Sequence, residues 1–148
     1  MKNKNNNFKK IIIYTDGGSR GNPGPSASGV YFETLDKKYG NYLGETTNNV
    51  AEYEAIIFAL KKVKALIGKD NADKTEIEIN SDSQLIISQL NGEFKLKEES
   101  LWKYFIEIWN LRQDFKNVFF NYIPREKNKI ADLMVNETLN ENSKKGLF

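Results

Sequence analysis

The stretch YTDGGSRGNPGPSASG, Tyr14 to Gly29, follows three isoleucines and holds a single acid, Asp16. Beyond Asp16 it is dominated by Gly, Pro, Ser and Asn. The apolar lead, Phe8 to Thr15, reads as a buried β-branched strand that ends at Asp16. Taken alone, GNPGP is a tight turn. An Asp at a strand end is most often a turn or cap residue. The meaning of the stretch therefore depends on what the other acids of the chain do.

Working outward, SGVYFETL and KYGNYLGET read as a hairpin pair around DKK. The period then changes. Ala51, Ala55, Ile56, Ala59, Leu60, Val63, Leu66 and Ile67 recur at helical spacing from Val50 to Ile67. Thr46, Thr47, Asn48 and Asn49 offer N-caps, and Gly68 a stop. TEIEINSD alternates as a strand and again ends at an acid, Asp82. SQLIISQLNG predicts a short helix. ESLWKYFIEIWNLRQDF predicts a longer one, with Leu101, Phe105, Ile108, Trp109 and Phe115 on one face. NVFFNYIP is the last strand, stopped by Pro124, and NKIADLMVNETLNE the last helix. A strand meander followed by alternating helices and strands predicts an α/β fold, a mixed sheet flanked by helices.

On that scaffold Asp16 and Asp82 point to one edge of the sheet if their strands are parallel neighbours. Glu52 lies in the first turn of its helix, on or beside the face to be buried, and Asp132 follows Ile130 and Ala131 in the last helix. Singly, each has an ordinary explanation: a turn, a helix-dipole partner, a solvated position. Jointly these explanations weaken, because free charge beside apolar positions is unfavourable. Two like charges about 4 Å apart repel by about 4 kcal/mol at an effective dielectric near 20. A cluster of such acids implies a divalent cation held by oxygen: Mg²⁺, Mn²⁺ or Ca²⁺.

Composition narrows the chemistry further. The chain has 148 residues, no cysteine and no histidine. Disulfide frameworks, thiolate nucleophiles, Ser-His triads and His-based zinc sites are excluded. Its 39% hydrophobic and 28% charged residues are the balance of a globular protein. The length suits one domain, residues 1–148, with 1–7 and 142–148 as loose tails. A net charge of +2 means that any basic surface is local. No apolar run reaches the roughly 18 residues of a membrane span. IIIY after MKNKNNNFKK is too short for a signal-peptide core. The expectation is a free-standing monomer in the cytoplasm, away from membranes.

YTDGGSRGNPGPSASG, TTNNVAEYEAI, NSDSQLI and REKNKIADLMVNETL, in this order and spacing, resemble the type 1 ribonuclease H family from about Ile11 to Leu139. The resemblance implies a five-stranded mixed sheet with helices on both faces. It implies hydrolysis of the RNA strand of an RNA/DNA hybrid by two Mg²⁺ ions, with Mn²⁺ as a substitute, leaving 3′-OH and 5′-phosphate ends. Asp16, Glu52, Asp82 and Asp132 match the family's metal-binding catalytic acids. Asp16 would bridge both ions, Glu52 and Asp82 complete one site, and Asp132 complete the other. Gly17, Gly18 and Ser19 would let substrate backbone approach without clash. Asn22, Thr47, Asn48, Asn49 and Gln84 would contact the hybrid, with Thr47 offering a phosphate site at a helix N-terminus. The 2′-OH is the group that marks RNA. Plain helix capping is the alternative for the TTNN run.

Two departures stand out. The basic handle of many bacterial members is reduced to NGEFKLKEE, Asn91 to Glu99, where Lys95 and Lys97 could touch the DNA backbone or simply lie in an exposed loop. The loop histidine of many members is missing. YIPREKNK stands in that region, with Arg125 a candidate for stabilising phosphate charge and Glu126 for shuttling a proton or loosening a metal. A subset of the family shares both features, which leaves activity on duplex RNA open.

Other classes compete. A catalytically silent nucleic-acid-binding domain of the same fold would be free to lose the acids, and all four are present. An actin- or sugar-kinase-like phosphate fold needs two such domains. A domain of a reverse transcriptase is the remaining alternative.

Overall fold

A computed structural model of the chain describes residues 8–146 and 148. The expected loose stretch at 1–7 lies outside these residues. Five strands form one sheet in the order β3-β2-β1-β4-β5: β1 (Lys10–Ser19), β2 (Gly24–Phe32), β3 (Lys37–Thr46), β4 (Glu76–Ser81) and β5 (Asn117–Tyr122). The helices are α1 (Asn48–Ile67), α2 (Lys69–Ala72), α3 (Gln84–Leu90), α4 (Trp102–Arg112) and α5 (Lys129–Lys144). Single 3₁₀ turns lie at Glu99–Leu101 and Arg125–Lys127.

The central strand β1 runs antiparallel to β2 and parallel to β4. Thr15 pairs with Ser81, so the strands leading to Asp16 and Asp82 are parallel neighbours ending at one edge. Side chains alternate across a strand, and this alternation sorts the two faces. Ile11 and Ile13 of β1, Val30 and Phe32 of β2, and Ile77 and Ile79 of β4 pack into the main core with Ile56, Leu60 and Val63 of α1, Ile86 of α3 and Ile108 of α4. Full burial of each such side chain contributes about 1.5–3 kcal/mol. On the other face Ala27 packs against Val135 and Leu139 of α5, with Tyr42 beside them. The fold is thus the mixed sheet with helices on both faces.

Several local readings change. β1 does not end at Asp16 but continues to Ser19, pairing Asp16 with Gly29 and Gly17 with Ser28. The residue-poor stretch is therefore mostly a hairpin arm, and only Arg20 to Pro23 is turn. Ladder hydrogen bonds to β2 override the weak strand preference of glycine. Trp109 is half exposed rather than buried, and α4 ends at Arg112, short of the buried Phe115. Helix α5 extends to Lys144, into the segment expected to be loose, and Phe148 stacks on Tyr42.

Helix α5 can lie close to the sheet because β2 carries glycine where it crosses. A Cβ on Gly29 would collide with the carbonyl of Ala131, one residue before Asp132. Gly29 adopts an ordinary backbone conformation, so the requirement is purely steric. Gly29→Ala should lever α5 outward and lower stability by about 1–3 kcal/mol. Thermal unfolding followed by circular dichroism measures this, and an unchanged melting temperature would refute the packing argument.

Candidate active site

The strand edge at Asp16 opens into a cleft of about 450 Å³ lined by all four acids. Each arrives on a different element. Asp16 comes from β1, Glu52 from the first turns of α1, Asp82 from the residue after β4, and Asp132 from α5. One carboxylate oxygen each from Asp16, Glu52 and Asp82 lie within 4.8 Å of one another. The Asp132 carboxyl lies close enough to add to the upward push on that of Asp16. The backbone N–H of Gly17 donates to Glu52 Oε1 at 3.1 Å.

The cluster is electrostatically strained without a cation. Burial first, then the charges of Asp82 and Asp132, push the Asp16 carboxyl up to about 8. Burial and the charges of Asp16 and Asp82 raise Glu52 well above the usual carboxylate range, with Arg125 opposing. Asp82 is raised by burial and lowered by its hydrogen bond from Asn128 and by Arg125. An all-carboxylate donor set of this charge fits a hard divalent cation.

The neighbours sort themselves by geometry. Gly17 is a glycine for internal reasons: a Cβ there would strike the Ala51 carbonyl and the Glu52 amide. It lets α1 approach β1, and Gly17 also lines the cleft. The Ser19 hydroxyl is committed to the carbonyls of Gly21, Gly24 and Thr46, closing the turn. Asn48 lines the cleft; its Oδ1 accepts from Ser19 N at 3.0 Å, and its own N–H donates to Asn22 Oδ1 at 3.0 Å. These bonds leave both amide NH₂ groups as donors. Thr47 is the N-cap of α1, its hydroxyl accepting from Val50 N at 3.2 Å, so the capping reading holds for this residue. Gly18 and Arg125 line the cleft. Asn49 and Gln84 lie in the first turns of α1 and α3, outside the lining. Glu126 instead faces the next cleft, with Tyr14 and Tyr31. Lys95 and Lys97 are exposed in the irregular segment before α4, outside the lining of the cleft.

Residues that sequence reasoning passed over also line the cleft: Arg20, Ser83 and Asn136. Arg20 donates from Nη2 to Asn140 Oδ1 of α5 at 2.6 Å. A lone arginine in a glycine-rich turn beside an acid was the available signal.

The raised carboxyls give a sign to the pH dependence. Without metal, Asp16 in the folded chain holds a proton that the unfolded chain releases near 3.8. That contribution to stability is fully present below 3.8 and is lost as pH rises through about 8. In chelator, the melting temperature is expected to fall between about pH 5 and about pH 8.5, and less steeply in Asp16→Asn. Parallel curves for the two proteins would contradict this origin.

Comparison with known proteins agrees with the geometry. The reverse transcriptase-like family matches residues 15–138. LC11-RNase H1, whose crystal structure is a complex with RNA/DNA hybrid, is 44% identical with a TM-score of 0.83, covering 89% of this chain and 98% of that one. RNase H1 of the archaeon Halobacterium salinarum NRC-1 is 35% identical with a TM-score of 0.80, over 89% and 98%. The bifunctional protein Rv2228c of Mycobacterium tuberculosis is 34% identical over 88% of this chain, which spans 35% of that relative's length. A ribonuclease H of Desulforamulus reducens is 30% identical, over 82% of this chain and 79% of its own. Shared sequence, shared fold and coverage of 98% of both RNase H1 structures lead to one conclusion: this chain belongs to the type 1 ribonuclease H family.

Proposed function

We propose that the chain is an endonuclease that hydrolyses the RNA strand of RNA/DNA hybrids, using Mg²⁺, with Mn²⁺ as a substitute. The observation that carries the reading is the convergence of Asp16, Glu52 and Asp82 within 4.8 Å, in an open cleft, on a chain of this family. Asp16, Glu52, Asp82 and Asp132 would hold the cations. Divalent cations bound there supply positive charge against the phosphate and Lewis acidity to the reacting oxygens.

The chain's own residues position the reaction. The four carboxylates, fixed by separate elements, pre-set the place of the scissile phosphate, and such pre-positioning lowers the barrier. A water oxygen bonds to phosphorus and releases one proton to solvent, the bond to the 3′ oxygen breaks, and that oxygen takes a proton from solvent. The products are a 3′-OH and a 5′-phosphate. Arg125, already close enough to act on the charges of Glu52 and Asp82, is placed to offset negative charge on the phosphate. The amide donors of Asn48, which lines the cleft, and of Asn22, hydrogen-bonded to it, are suited to 2′-OH groups and base edges of a shallow minor groove.

Cleavage of a labelled RNA/DNA hybrid in Mg²⁺ tests the reading. The RNA strand should be cut, and Asp82→Asn should lower the rate by at least about a hundredfold. The same RNA paired to RNA sets the breadth of substrate. A folded protein that leaves the hybrid intact in Mg²⁺ and Mn²⁺ would point to a silent binding domain.

Arg20 suits a phosphate: it lines the cleft, and one of its guanidinium nitrogens is held by Asn140. Arg20→Ala should raise KM for the hybrid. The slope of log affinity against log salt should become shallower by about 0.7–0.9, one phosphate contact. An unchanged slope would remove Arg20 from the substrate site.

A further inference from the structure

Asn128 occupies the N-cap of α5, yet its side chain makes no capping bond. An N-cap asparagine normally accepts from the second or third N–H of its helix. This one is turned inward and is 1% exposed. Its Nδ2 donates to the Thr15 carbonyl at 2.8 Å and to Asp82 Oδ2 at 3.3 Å. Its Oδ1 is buried without a partner among the described residues. Both neighbours of the NH₂ are acceptors only, so the amide cannot be reversed. A lost cap and an unpaired buried oxygen both disfavour this orientation locally. What favours it is the pair of bonds made by the NH₂.

Those bonds join the acid-bearing elements. Thr15 precedes Asp16 on β1. Asp82 is bonded directly. The Asp132 N–H donates to the Asn128 backbone carbonyl at 3.2 Å. One side chain thus links β1, the end of β4 and the start of α5.

We infer that Asn128 is a positioning residue for the metal site: it fixes the Asp82 carboxylate by one oxygen and ties Asp132 to β1, so that the acids meet a cation pre-arranged. This rests on the metal-dependent reading of the cleft. A partner that orients a metal ligand typically changes affinity by about 10–100-fold when removed.

Asn128→Ser separates positioning from folding. Serine is a good N-cap, but its hydroxyl is too short to span from α5 to both Thr15 and Asp82. Titration calorimetry with Mn²⁺ alone, on the full chain below its melting temperature, is the first readout, beside Asn128→Ala and Asp82→Asn. We expect Mn²⁺ affinity to fall roughly tenfold or more in Asn128→Ser and Asn128→Ala. Asn128→Ser should keep the melting temperature in chelator better than Asn128→Ala. On hybrid, kcat should fall in Asn128→Ser with KM little changed. Unaltered Mn²⁺ affinity in a folded Asn128→Ser, with loss in Asp82→Asn, overturns the positioning role and leaves the metal site standing. No Mn²⁺ binding to the unsubstituted chain, or undiminished binding in Asp82→Asn, overturns both.

Discussion

Repulsion among carboxylates at the end of the central strand is the constraint on which the rest of the structure depends. Asp16, Glu52 and Asp82 bring oxygens within 4.8 Å, and the charge of Asp132 adds to the repulsion on Asp16. At such separations each like-charged pair is unfavourable by a few kcal/mol at an effective dielectric near 20. No single segment would hold itself in that arrangement. The fold does so by bringing each acid on a separate element anchored far from the others. Ile11, Ile13, Ile77 and Ile79 lock the two strands, and Ile56 and Leu60 hold the helix that carries Glu52. The scaffold supplies rigidity and leaves the charge for a cation to neutralise.

The second face of the sheet matters as much as the first. Helix α5 brings Asp132, Asn128, Asn136 and Asn140 to the cleft or to its ligands, and it can do so only because it lies nearly on the backbone of β2. Its apolar contact is small, centred on Ala27, Val135 and Leu139. Steric fit at Gly29 and the Asn128 bonds to Thr15 and Asp82 therefore set the position of α5 beyond what hydrophobic area alone would specify. Gly17 plays the matching part on the other face, where α1 crosses β1.

Much of this was legible beforehand. Helical spacing from Val50 to Ile67, alternation in TEIEINSD and the acids in their ordered motifs led to the mixed sheet and to the cleft. The errors share one cause, since local pattern carries no information on distant partners. Asp16 was taken to end its strand because glycines follow it, but pairing with β2 carries the strand to Ser19. Gly17 and Ser19, assigned to substrate, line the cleft, but each also has a part in the fold that the sequence did not show: one makes room for α1 and the other closes a turn. Arg20 was passed over because its partner, Asn140, lies 120 residues away.

By itself the sequence determined which chemistry is open. A chain without cysteine or histidine, with acids at the ends of apolar strands and beside apolar helix positions, can act on a substrate through oxygen-held cations. Periodicity also determined the elements, because the helical and strand repeats of apolar residues reflect local geometry. Only the tertiary structure decided which oxygens meet, which residue caps a helix and which asparagine reaches for Asp82 instead, and which glycine serves packing. Those are decided by contacts between residues far apart in the chain, made once the two faces of the sheet are covered.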